Sequence, residues 1–188
     1  TSFDEKLAQQ MDGADPGLWR IIADTYYVYF LPSRNILFDT KWDQIAWAAR
    51  QAGLTIASKD TDDWKPQSIG ILRTSYRYHT KHVQFRLILM FADLVKRADE
   101  PTRLLHNADA MQRALDDILA SIPSKNDRAY DMRHAILYLT FPDLYERIIS
   151  SSDKKRIVES FGPRIQGNVP TDIDAALRLI REQLAPEY

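Results

Sequence analysis

RAYDMRHAILYLTFPDLYERIISSSDKKRIVESFG, residues 128–162, decides how this chain folds. Asp127 is placed to cap a helix whose Ala129, Met132, Ile136 and Leu139 share a face, and Phe141-Pro142-Asp143 breaks it. A short apolar turn and the serine run Ser150–Ser152 follow. Ser152 then caps a basic amphipathic helix bearing Ile157, Val158 and Phe161, with Gly162-Pro163 as its stop. The spacing marks two scaffold helices joined by a turn.

The same signals recur outward. Phe3–Met11 reads as a short, loosely attached leading helix ended by Asp12-Gly13. Asp15-Pro16 opens a helix that is apolar nearly all round, from Leu18 to Phe30, and Pro32 stops it. Trp42, Ile45, Ala46 and Ala49 follow the i, i+3, i+4, i+7 pattern up to Gly53. A central helix is expected over 80–98, ended at Pro101. Asn107 is placed to cap a helix carrying Met111, Leu115, Ile118 and Ile122, and Thr171 one carrying Ile173, Leu177, Ile180 and Leu184. The expectation is a mainly α, single-domain bundle of about seven to eight helices over 1–188, with allowance for a short β-hairpin in 54–75.

The bulk composition is that of a globular protein: 45% hydrophobic, 27% charged, with four Trp, nine Tyr and seven Phe for a core. Net charge −1 gives no global attraction to nucleic acid or to a membrane surface, so such a partner must meet a local patch. There is no cysteine, which removes thiolate catalysis, disulfides and Cys-based zinc sites and fits a cytoplasmic setting. The most apolar run, Leu87–Val95, is far shorter than the ~20 residues a membrane span needs. No membrane partner and no cofactor are expected.

Catalytic signatures do not assemble. None of the six glycines begins a G-x-x-x-x-G-K-[ST] or G-x-G-x-x-G run, so no backbone cradle for phosphates is read. His79 and His82 have metal-like spacing but no carboxylate partner at a zincin distance, and no G-x-S-x-G elbow supports a nucleophilic serine. No catalytic residue and no metal ligand is assigned.

The distinctive charge feature is ILRTSYRYHTKHVQFR, residues 71–86, which holds basic residues and no acid. Arg73, Arg77, Lys81 and Arg86 are placed to meet phosphates, Tyr76 and Tyr78 to stack on bases, and His82 lies between them. The competing reading is a solvated helix entry whose tyrosines enter the core. Lys154, Lys155 and Arg156 form a second basic group, read as a solvated helix face or a contact surface for another subunit.

Four segments carry a resemblance. LWRIIADTYYVYFLPSRNILFDTKWDQI (18–45) resembles the opening of the N-terminal region of bacterial AAA+ ATPases of the McrB type. HAILYLTFPDLYERIISSSDKKRIVESF (134–161) is similar to a later segment of that region, and IDAALRLIREQL (173–184) to the helix that closes it before the motor; 69–97 fits more loosely. The resemblance implies a non-catalytic target-recognition domain, reading DNA that carries a modified cytosine. It also implies partnership with a nucleotide-hydrolysing AAA+ motor and a nuclease subunit. With no Walker loop present, 171–188 would lead to a motor domain outside this sequence. A second reading is a protein-interaction or assembly module of such a defence ATPase, using the Lys154–Arg156 face and the last helix. A third rests on Arg73–His79, Arg77–His82 and Arg128–His134, which resemble the R-x4-6-H element of metal-independent HEPN ribonucleases.

Overall fold

The computed structural model describes residues 2–59, 61–64, 66–67, 70 and 81–185. It is helical, and among those residues there is no strand. The described part of 54–75 is turn and coil, with a 3-10 turn at Asp62–Trp64 and helical backbone at 66–67. The mainly α architecture is the one expected, and its helices gather into two compact units, Thr1–Ala92 and Asp93–Tyr188.

The first unit contains α1 (Phe3–Gln10), α2 (Pro16–Phe30), α3 (Phe38–Gln51) and most of α4 (Lys81–Arg97). Asp15 starts α2 by accepting a hydrogen bond from the Gly17 amide at 2.7 Å, with Pro16 in the first turn. α2 packs on α3, whose buried Ala46, Ala48 and Ala49 leave room for the rings of α2. Tyr26 meets Phe85 of α4 edge-on at 4.7 Å, and Trp19 meets Trp47 of α3 at 5.4 Å. Tyr26 and Phe30 are fully buried, and burying a side chain of this size stabilises the unit by about 2–3 kcal/mol each.

One polar knot closes the loop beneath α2. Lys41 is buried, and its Nζ donates to the carbonyls of Ser33 and, at 2.7 Å, Gln67; the Gln67 amide donates to the Tyr27 carbonyl at 2.6 Å. Burial pushes the Lys41 ammonium down to about 8. Gly70 completes the turn at φ +50°, where an added Cβ would run into the Ser33 carbonyl, so glycine alone fits.

The second unit holds α5 (Pro101–His106), α6 (Ala108–Ser121), α7 (Tyr130–Thr140), α8 (Ser151–Phe161) and α9 (Ile173–Leu184). Pro101, expected only as an end, also opens α5 as its first residue. Asn107 caps α6 through the Ala110 amide. A 3-10 turn at Lys125–Asp127 precedes α7, so Asp127 sits ahead of the helix rather than at its cap. Phe141 leaves the helix at φ −133°, as a residue before proline must, and its carbonyl accepts from the Leu144 and Tyr145 amides at 3.0 and 3.1 Å. That turn buries Tyr145, whose hydroxyl donates to Gln112 at 2.8 Å. Ser150, two residues earlier than expected, caps α8, and Asp172, one later than expected, caps α9. α8 and α9 pack on each other and share a core of Ile165, Ile180 and Leu184 with Val158 and Leu179 against it.

Candidate functional site: a buried charge cluster and an apolar groove

The most concentrated chemistry in the second unit lies where α6, α7, α8 and α9 meet. Arg133 on α7 makes a two-pronged contact with Asp116 on α6, Nε to Oδ1 at 2.9 Å and Nη2 to Oδ2 at 3.0 Å. Its third nitrogen, Nη1, donates to Asp174 at the start of α9, and Lys154 Nζ from α8 donates to the other oxygen of the same carboxylate. Arg133, Lys154 and Asp174 are all buried, and the four charges sum to zero.

His134 reports the polarity of this cluster. Its Nδ1 faces Lys154 Nζ at 3.0 Å and Arg133 Nη1 at 3.1 Å, both donors. Nδ1 therefore accepts, the ring proton sits on Nε2, and that N–H donates to Ser151 Oγ at 3.0 Å. Burial, then the Lys154 and Arg133 charges, push the imidazole down to about 3, so it is neutral at ordinary pH. Burial alone would raise Asp174, but Lys154 and Arg133 outweigh it and hold the carboxylate below its usual range. Burial pushes Lys154 down, with Asp174 working against it. A histidine that donates to serine is the reverse of a base that activates one, so Ser151 and His134 form a structural pair.

Two concavities adjoin this framework. A cleft of about 220 Å³ is lined by Asp109, Gln112, Arg113, Tyr145, Asp172 and Arg178 among others, with Asp174 reaching it from the cluster. Gln112 donates to Asp172 at 2.8 Å while accepting from Tyr145, so these groups satisfy one another. The second is an open apolar groove of about 430 Å³ between α8 and α9, lined by Ile157, Phe161, Ile180, Arg181, Leu184 and Ala185. Phe161 is 37% exposed there, and the Arg164 guanidinium lies 5.8 Å from its ring centre.

The residues singled out in the sequence are placed as follows. Arg73, Tyr76, Arg77 and Tyr78, with His79, lie outside the described residues. His82 and Arg86 are exposed on α4. Lys81, expected on phosphate, is 4% exposed, and its Nζ donates to Asp4 at 3.2 Å and to Gln44 at 3.0 Å. Lys154, expected on an open basic face with Lys155 and Arg156, is fully buried by the cluster above. Lys155 and Arg156 are exposed and make long pairs to Glu159 (3.7 Å) and Asp153 (3.5 Å) along their own helix. Arg128 spends its guanidinium on the carbonyls of Ile122 and Ala120, at 2.9 and 3.3 Å, while His134 is engaged by Arg133, Lys154 and Ser151. Among the described residues no group of three His, Asp or Glu side chains is gathered as for a metal, and no helix is long and apolar enough to cross a membrane.

A sequence signal for the inward lysines does exist. Lys81 stands at i with Gln84, Phe85 and Ile88 at i+3, i+4 and i+7, and Lys154 at i with Ile157, Val158 and Phe161. A cation in register with the apolar stripe points inward and needs a buried anion. No family model, no curated protein and no solved structure matches the chain.

Proposed function

We propose that this chain is a non-catalytic assembly module of a McrB-type AAA+ defence ATPase, and that it docks an amphipathic helix of the motor in the α8–α9 groove. The observation that carries this reading is the groove itself. Ile157 and the exposed Phe161 offer apolar side chains one turn apart on α8, and the largely buried Ile180 and Leu184 line the groove from α9, a pattern that accepts a partner helix. The cluster around Asp174 holds α8 and α9 in place, giving the groove rigid walls. Lys81, expected to meet phosphate, is buried and so does not support DNA recognition, while the buried Lys154 takes the basic face out of the assembly reading and leaves the groove as its surface.

Ile157→Glu and Phe161→Glu in the full chain are each expected to reduce retention of the AAA+ motor subunit at least about tenfold in a pull-down. Their circular dichroism should match the wild type, since both positions lie at the groove surface. Lys155→Ala should change retention less than about twofold. Undiminished retention would contradict the assignment. A mobility shift of cytosine-methylated duplex DNA lost in Arg73→Ala and Arg77→Ala would return the function to DNA recognition.

A further inference from the structure

Phe3 and Asp4 of α1 reach into the first unit, and Leu7 and Ala8 of the same helix are half-buried beside them. The eight-residue helix buries none of its side chains completely, and a helix this short is marginal by itself. Phe3 meets Phe85 edge-on at 5.2 Å, and the Asp4 carboxylate accepts from the Tyr26 hydroxyl and from Lys81 Nζ. A reciprocal cap sets the pair in place: Ser2 Oγ accepts from the Glu5 amide at 3.1 Å, and the Glu5 carboxylate accepts from the Ser2 amide at 2.7 Å. Beyond Gln10 the chain turns through Met11–Gly13 into α2.

What Phe3 and Asp4 cover is a cation among rings. Lys81 Nζ lies 5.1 Å from the centres of Phe3 and Tyr26 and 6.0 Å from Tyr29, with Gln44 as a further acceptor. Burial disfavours this ammonium and Asp4 works against that effect, so the place calls for an aromatic face with an anion beside it. Both features come from two adjacent residues of an eight-residue helix with no fully buried side chain.

We propose that the pocket over Lys81 is a binding site for a partner segment in which an aromatic residue is followed by a carboxylate, and that Phe3-Asp4 of α1 is its resident occupant. Lifting α1 about the Met11–Gly13 turn opens the site, and a partner carrying the same pair replaces it. The site is independent of the α8–α9 groove, which belongs to the other unit.

The test uses the full chain with a protease sequence inserted in the Met11–Gly13 turn and a fluorescent peptide corresponding to residues 2–11. After cleavage the labelled peptide should exchange into the nicked protein. A peptide with Phe3→Ala and Asp4→Asn should bind at least about tenfold more weakly. The uncut chain should also bind the labelled peptide about tenfold more weakly, as expected if α1 fills the pocket roughly nine-tenths of the time. No exchange into a nicked chain that keeps its tryptophan fluorescence would overturn the proposal, as would equal binding of the two peptides. Should nicking unfold the protein, the intact Phe3→Ala/Asp4→Asn chain decides: the wild-type peptide added in trans should raise its melting temperature, and no rise would refute the site.

Discussion

Asp174→Asn is expected to lower the stability of the protein by about 3–5 kcal/mol, the largest effect of any single substitution in the charge cluster. The Asp174 carboxylate pairs with both Arg133 and Lys154 where neither cation reaches water, and Asp116 supplies the second negative charge, to Arg133. The amide keeps the shape but removes the charge, so the buried Lys154 loses its carboxylate in the cluster and Arg133 keeps Asp116 alone. For a protein of this size that loss corresponds to a fall in melting temperature of roughly 10 °C, read from the helical circular dichroism signal. Asp116→Asn should cost less, because the Asp116 side chain is 46% exposed and water takes over part of its role. Equal melting of wild type and Asp174→Asn would mean that the cluster does not hold α7, α8 and α9 together.

Acid should undo the same cluster through His134. In the unfolded chain this imidazole titrates near 6.5, and in the fold it stays neutral down to about 3. Between those values the unfolded state binds the extra proton, so stability rises with pH through the window and falls as pH drops from 6.5 toward 3. The contribution is of order a few kcal/mol. Asp174, held below its usual range, adds loss of the same sign as pH falls through its folded value. The two are separable. His134→Asn keeps an acceptor toward Arg133 and Lys154 but does not titrate, so its stability should be flat from pH 6.5 to about 4.5 where the wild type declines. Urea midpoints across this range provide the measurement, and parallel curves would contradict the assignment of His134 as the acid-labile member.

How much of this is legible in the sequence depends on which force is being read. The helices come through because caps, prolines and apolar spacing act locally. Asp15-Pro16 and Asn107 start helices where expected, and Phe141-Pro142 ends one. Helix starts slip by a residue or two where several capping side chains stand side by side, as in Ser150–Ser152, since each can accept from an amide in the next turn. The charge cluster is not legible as a site. Its members come from four helices, and Arg133-His134 and Lys154 look like surface charges until each is set against the phase of its helix. Lys81 escapes for the same reason: proximity groups it with Arg77 and Arg86, although its helical phase puts it with Phe85 and Ile88. The groove between α8 and α9 follows from two stripes that the sequence does contain, but their leftover apolar surface depends on how the helices pack.

The docking claim meets its most direct test in hydrogen exchange of the full chain, measured with and without the AAA+ motor subunit. Docking in the groove predicts slowed exchange at 157–161 and 180–185 when the motor is added, with residues 71–86 unchanged. Unaltered exchange in both groove segments, with protection appearing at 71–86 on addition of methylated duplex DNA, would contradict it.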